Sequence, residues 1–423
     1  MIYFAYRNKI FFRFKLILIS SFVSEDNTEK MILVMERKDT KSHTQSAAIL
    51  TLGTGWFPKT PGGLERYIYE LTHKLAAQKD EIELCGVGLP ADAKNTQIKL
   101  TNLANPDSKI SSRLFSIRHN FKKTRLGKPD AINLHFALYS FPILDILPKG
   151  IPVTFNFHGP WASESQEEVI NKKFSIWLKQ KLIEQSTYNR CDRFIVLSKA
   201  FGQILHQKYQ IPWQKIHIIP GGVDIDHFQN NLSRQEARIK LGWPSNRPIL
   251  FTSRRLVHRM GIDKLLAAIA MCKIQVPDIW LAIAGRGHIQ ALLQQKTQEL
   301  GLENHVKFLG FLPDEHLPLA YQSADLTIMP SQSFEGFGLA IIESLACGTP
   351  VLCTPVGGMP EILQSFSPDL ITESITVESI ADKLTQIMLA KLPLPSREEC
   401  RNYTIKHYNW TNIAQEVRQV LLA

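Results

Sequence analysis

The stretch Pro330–Glu361 reads PSQSFEGFGLAIIESLACGTPVLCTPVGGMPE, and its punctuation decides the fold. It runs from a strand exit through a glycine-bearing loop, a short apolar helix, a Gly-Thr-Pro stop, another strand and a second glycine loop. Gly336 and Gly338 let the backbone of the loop Phe334–Gly338 approach a ligand closely. A helix starting near Leu339 would aim free N–H groups and a positive dipole end at that loop, which suits a phosphate. Glu335 lies before the helix, and Glu343 lies within it after Ala340, Ile341 and Ile342. Two carboxylates around an anion-binding helix start suggest a nucleotide-sugar site, one carboxylate for the sugar and one for the ribose hydroxyls. The plainer alternative is an ordinary βα turn with a half-buried Glu343, and these features alone divide evenly between the two readings.

Outside this stretch the chain reads as a large α/β protein. Its 423 residues are enough for two or more domains, and 44% hydrophobic with 21% charged residues is a globular composition. The net charge of +10 suits an acidic partner surface. Cys85, Cys191, Cys272, Cys347, Cys353 and Cys400 form no C-x-x-C pair, no Cys/His metal cluster and no disulfide framework, so a reducing compartment fits. No metal is required by any motif, including Asp224-Ile225-Asp226, which reads as turn and capping chemistry in a linker.

Residues 1–45 differ from the rest. Ile10–Val23 is apolar but interrupted by Arg13 and Lys15, and its clean run is too short to span a bilayer. A weak anchor, a signal peptide and an upstream extension with the start at Met31 or Met35 compete, and the acids Glu25, Asp26 and Glu29 directly after the apolar run favour the last. Ala47–Leu52 then reads as a buried strand, followed by a loop with Gly62 and Gly63 and a helix over Leu64–Lys79 with Leu64, Ile68, Leu71 and Leu75 on one face. Arg113–Lys128 holds Arg113, Arg118, Lys122, Lys123, Arg125 and Lys128 without an acid, interleaved with Leu114, Phe115, Ile117 and Phe121. A solvated helix face and a basic amphipathic element on an anionic membrane both fit it, whereas no recognised nucleic-acid fold accompanies the charge. The strand Val153–Phe157 ends in His158-Gly159-Pro160-Trp161, where a histidine beyond the carboxyl end of a parallel strand sits at the ligand-binding edge. After Pro220-Gly221-Gly222-Val223-Asp224, a candidate linker, the strand Pro248–Ser253 leads into Arg254-Arg255-Leu256-Val257-His258-Arg259-Met260-Gly261. Three arginines at a strand end suit a diphosphate, because guanidinium forks match phosphate oxygens. The strand Trp280–Ala284 ends in Gly285-Arg286-Gly287, another close-approach turn.

The whole of Glu335 to Glu343, with Gly348-Thr-Pro350 and Pro355-Val-Gly-Gly-Met-Pro-Glu361, resembles the Glu-x7-Glu signature of retaining glycosyltransferases of family four, GT-B fold. The resemblance covers nearly all of residues 46–423 and is loosest between 90 and 150. It implies two Rossmann-like, doubly wound parallel-sheet α/β domains facing an interdomain cleft. The boundaries it suggests are 1–45 for the atypical extension, 46–220 for the acceptor-side domain, 221–395 for the nucleotide-sugar domain and 396–423 for helices crossing back. It implies hexosyl transfer from a UDP- or GDP-sugar to a hydroxyl of a glycan or lipid-linked acceptor, without cofactor or metal. A cytoplasmic place, peripheral on the inner membrane face, goes with it. Glu335, His158 and Arg255 take catalytic roles by this resemblance. Gly62, Gly63, Arg254, Arg259, Gly285, Gly336, Phe337, Gly338, Leu339 and Glu343 bind the donor. One departure stands out: the string from Arg254 to Gly261 is similar to the family's Gly-Arg-Leu-x-x-x-Lys-Gly, and Met260 falls on its lysine, so Arg254 or Arg259 would have to supply the charge. A catalytically silent scaffold of the same fold, and a nucleotide-sugar epimerase of similar architecture, are the alternatives.

Overall fold

The computed structural model describes residues 46–91, 97–124, 127–168, 177, 179–229 and 231–423. The readings of residues 1–45, and Arg125 of the basic segment, lie outside the described residues.

Two parallel sheets carry the fold. The first contains β1 (Ala48–Leu52), β2 (Glu81–Val87), β3 (Ile98–Ala104), β4 (Ala131–Leu134), β5 (Val153–Phe157), β6 (Arg193–Val196) and β7 (Ile216–Ile218), in the order β3-β2-β1-β4-β5-β6-β7. The second contains β8 (Ile249–Ser253), β9 (Trp280–Ala284), β10 (Val306–Gly310), β11 (Leu326–Met329) and β12 (Val351–Cys353), in the order β10-β9-β8-β11-β12. The inner strands are nearly continuous apolar runs such as VTFNF and WLAIA, buried along their whole length. Helices on both faces of a parallel sheet require that pattern. This is the pair of α/β domains that the sequence suggests.

The helices that matter for the site are α1 (Gly63–Ala77), α2 (Ile110–Phe121), α3 (Trp161–Glu168), α4 (Lys199–Tyr209), α5 (Ile262–Cys272), α6 (Leu317–Ser323), α7 (Leu339–Ala346), α8 (Arg397–Tyr408) and α9 (Trp410–Leu422). α1 buries Tyr67, Ile68, Leu71 and Leu75, the stripe its spacing predicts. α2 is shorter than the basic segment from which it was read: it ends at Phe121, once Ile117 and Phe121 have been buried.

Strand order locates the candidate site. In each sheet the winding reverses once near the middle, between β1 and β4 in the first sheet and between β8 and β11 in the second. Open α/β sheets bind ligands at the carboxyl ends of the strands flanking such a reversal. The loops leaving β1, β4, β8 and β11 carry, in turn, Gly62 and Gly63, His135, Arg254 and Arg255, and Glu335. Both reversals therefore present chemistry to one cleft.

The last two helices hold the sheets together. In α8, Arg401 donates to the carbonyls of Phe228, Ala346 and Ile225. α9 returns to the first sheet, where Arg418 makes a two-pronged bond to Asp80 (2.7 and 2.8 Å) and Trp410 packs 5.2 Å from the ring of Tyr67.

Candidate active site

All the candidate catalytic and donor-binding residues line one cleft of about 650 Å³. Gly62 and Gly63 face it from the start of α1, and a side chain added at Gly63 would meet Leu339 at 3.7 Å. The two glycine loops thus oppose each other. Phe337, Gly338 and Leu339 open α7, with Gly338 in the left-handed region at φ 98, where a side chain would be strained. Gly285 and Gly336 approach from the loops after β9 and β11, and His158 from the loop after β5.

Glu335 is the centre of the electrostatics. Its Oε2 accepts from the guanidinium of Arg254 and from Ser331 Oγ at 3.2 Å. Burial pushes the carboxyl up, but the charge and hydrogen bond of Arg254, with Arg259 and Ser331, outweigh it and hold the group below the usual carboxylate range. Arg254 also donates to Ser331 and reaches Met260 Sδ at 2.7 Å, while its Nε is buried with no hydrogen-bond partner among the described residues. Arg259 is turned elsewhere. It donates to the Phe334 carbonyl at 3.1 Å and pairs with Glu164 at 3.5 Å, and burial lowers its pKa. Arg255 is the exposed member of the three and lines the cleft.

Glu343 is buried and behaves differently. Tyr321 donates to it at 3.1 Å and Arg66 Nε lies 3.6 Å away, yet burial still raises its pKa. Arg66, from α1 of the first sheet, also pairs with Asp314 across the cleft, and Asp314 in turn meets His227 at 3.2 Å. Sequence reasoning assigned no role to Arg66, Asp314 or Tyr321, the last two lying just before α6 of the second domain and within it. It also missed His135, although the rule that picked out His158 applies equally to the residue after β4. Trp161 and Glu164 add a wall from α3.

The second glycine pair sets the position of Glu335. Gly358 N donates to the Glu335 carbonyl at 3.0 Å, and a Cβ at Gly357 (φ 59) would stand 1.8 Å from that oxygen. Gly357→Ala is expected to push the loop away and reduce donor turnover by about a hundred-fold, as an ångström-scale displacement of a reacting group does. Steady-state kinetics checks this, and an unchanged rate would mean that the loop does not set Glu335. Glu361, at the end of the same stretch, accepts from the backbone N–H groups of Lys199 and Ala200 at the start of α4 (2.8 and 2.9 Å), tying the loop to the first sheet.

Two family models match in succession, glycosyltransferase family 4 over residues 61–227 and glycosyl transferases group 1 over residues 233–407. The chain belongs to this family of glycosyltransferases. A GDP-mannose-dependent alpha-(1-6)-phosphatidylinositol monomannoside mannosyltransferase of Mycolicibacterium smegmatis is 30% identical to this chain over 221 residues, 50% of this chain and 56% of that protein. The chain spans about half the length of the curated relatives it matches. Among solved structures, sucrose-phosphate synthase from Thermosynechococcus elongatus superposes with TM-score 0.74 at 21% identity, over 88% of this chain and 98% of that one. Anabaena HepE in complex with UDP-glucose superposes with TM-score 0.69 at 20% identity, over 89% and 99%. These likenesses show that the chain has the GT-B fold. Among the described residues there is no cluster of metal-ligating side chains, and no helix is long and apolar enough to cross a membrane.

Proposed function

We propose that this glycosyltransferase moves a hexosyl group from a nucleoside-diphosphate sugar to a hydroxyl of a glycan or lipid-linked acceptor, with retention at the anomeric carbon and without a metal. The observation that carries the proposal is the Glu335–Arg254 pair, which sits where both sheet reversals open into one cleft, beside the start of α7. The diphosphate lies against Arg255 and Arg254 and the amides that begin α1 and α7, which stabilise the charge that develops as it leaves. Glu343 takes the ribose hydroxyls. Glu335 faces the sugar where positive charge develops. The acceptor oxygen bonds to the anomeric carbon on the face that the phosphate oxygen leaves, and that oxygen takes the acceptor proton. The relative named for GDP-mannose and the neighbour holding UDP-glucose support a nucleotide-linked hexose as donor.

The test is nucleoside diphosphate release by the purified full chain from a panel of UDP- and GDP-hexoses, with EDTA present. Release from one donor is expected, faster with the matching acceptor. No binding and no release from any donor would contradict transfer and favour the silent scaffold.

The acceptor side suits a membrane surface. Ile110 and Phe115 of α2 stand 60% and 74% exposed beside Lys109, Lys122 and Lys123, although Arg118 is spent on Asp145 and Arg113 on the carbonyls of Pro106 and Ser108. Each lysine near an anionic surface contributes about 1 kcal/mol, so Lys122→Ser with Lys123→Ser is expected to weaken binding to phosphatidylglycerol vesicles roughly 30-fold. Vesicle sedimentation reads it, and equal binding by wild type and variant would remove α2 as the contact.

A further inference from the structure

Behind His158 runs a line of polar side chains, buried apart from His158 itself, that the transfer reaction does not touch. Tyr67 OH donates to Asn156 Oδ1 at 3.3 Å, and Asn156 Nδ2 donates to Asn133 Oδ1. Asn133 Nδ2 meets His135 Nε2 at 3.0 Å, and His135 Nδ1 meets His158 Nε2 at 3.1 Å. Tyr67, Asn156, Asn133 and His135 are each at most 2% exposed, so where two of them meet, one must donate and the other accept. The asparagines come from neighbouring strands, Asn133 from β4 opposite Thr154 and Asn156 two residues further along β5. The tyrosine comes from α1 and is pressed edge-on against His158 at 4.9 Å, with Trp410 of α9 on its other side at 5.2 Å.

The line has a direction. The Tyr67 hydroxyl has one hydrogen to give and one partner among the described residues, the Asn156 oxygen. Reversing the line would strand that hydrogen in the core. With Tyr67 as donor, each amide passes the polarity on: its oxygen accepts and its nitrogen donates. His135 therefore accepts at Nε2 and, being neutral, carries its proton on Nδ1. It then donates to His158 Nε2, which leaves His158 with its proton on Nδ1. Half-buried against Tyr67 and His135, His158 is desolvated enough to stay neutral, its pKa lowered to about 3, and full burial holds His135 well below its ordinary value.

We infer that Tyr67, Asn156, Asn133 and His135 are positioning residues that fix His158 as the Nδ1–H tautomer, so that it meets the transferred sugar as a hydrogen-bond donor and cannot serve as the base for the acceptor hydroxyl. The Nδ1–H group donates to a sugar oxygen, and no lone pair remains on that nitrogen to take a proton. The acceptor proton then has to go to the leaving phosphate. This rests on the reading of the cleft as a glycosyl-transfer site, but the tautomer itself does not.

The experiment is multiple-bond proton–nitrogen NMR on the full chain, deuterated and labelled at histidine, near neutral pH, with His158→Gln identifying the resonances of His158. The Nδ1–H pattern is expected in wild type. Asn133→Asp places a group that can only accept next to His135 Nε2. His135 then carries its proton there, accepts at Nδ1, and drives His158 to the Nε2–H pattern, with transfer falling about a hundred-fold as a transition-state donor is lost. Should the aspartate not fold, Tyr67→Phe removes the group that sets the direction, and a mixture of the two His158 patterns is expected. An Nε2–H pattern in wild type, or an unchanged His158 pattern in the folded variants, overturns the inference. The tautomer is read without turnover. An Nδ1–H pattern in a protein that transfers nothing would leave the inference standing and defeat the functional reading alone.

Discussion

Arg254→Met is expected to lower kcat/KM by about a thousand-fold, because this guanidinium does two things at once. It holds Glu335 below the usual carboxylate range, and in the proposed reaction it supplies charge where the diphosphate leaves. Losing one donor aimed at developing charge costs about 100- to 1000-fold. Removing one partner of a buried ion pair also destabilises the folded protein by roughly 3–5 kcal/mol, because the other partner is left uncompensated. Glu335 shows which way the pair then moves. Burial is its largest influence and pushes it up, and Arg254 is the first of the groups that pull it down. Its depressed pKa means that the folded state gains stability above the ordinary carboxylate value and loses it as the pH falls through the depressed one. In the variant that contribution disappears and the acid limb of the pH–rate profile moves up towards neutrality. The partner of Arg254 in sequence space is also its partner in space. With Arg255 on the family's arginine, Arg254 stands where the motif has glycine and Met260 where it has lysine, and Arg254 Nη2 touches Met260 Sδ at 2.7 Å. The cation has moved from one end of the motif to the other and still reaches the same spot. The double exchange Arg254→Gly with Met260→Lys is therefore expected to recover much of the activity, whereas Met260→Lys alone sets two like charges in contact and is expected to impair it. A double-mutant cycle on kcat/KM measures the coupling, and additive losses would mean that the two departures are unrelated.

Arg418→Ala is expected to destabilise the protein by about 3–5 kcal/mol, since it leaves the Asp80 carboxylate buried without its cation. The Asp80 side chain has no exposed surface, and besides Arg418 it accepts only from Ala47 N at 3.0 Å among the described residues. The bond fastens α9 to the turn between α1 and β2, and α9 carries Trp410 against Tyr67. A melting temperature lower by roughly 5 °C or more is expected, with a smaller loss of turnover as the support behind His158 loosens. A melting temperature within a degree of wild type would mean that α9 is held by its apolar face alone.

Much of this arrangement was legible in the residues. Apolar strands followed by glycine loops marked an α/β protein, and the arginines after β8 stood out because a site at strand ends leaves its marks locally; the pair of domains and the choice of Glu335 and Glu343 rested on the family resemblance. β3 was not seen. It is an edge strand whose sequence IKLTNLA leaves Lys99 and Asn102 exposed, so the buried run that flags an inner strand is missing. Nor could the sequence say which arginine serves Glu335. Arg254 and Arg259 are chemically equal in one dimension, and only the fold turns Arg259 towards Glu164. The pairing of Arg66 with Asp314 joins residues 248 positions apart, and the His135–His158 pair joins two strands; neither leaves any trace in spacing.

The central claim, transfer with the leaving group and the incoming oxygen on one face, is tested most directly by the configuration of the first product formed. Proton NMR of the sugar, followed in the opening minutes with an α-linked nucleotide sugar, before the anomers of any released sugar can equilibrate, reads it from the anomeric coupling. The α-anomer is expected to appear first. A β-anomer at the earliest time points would contradict it.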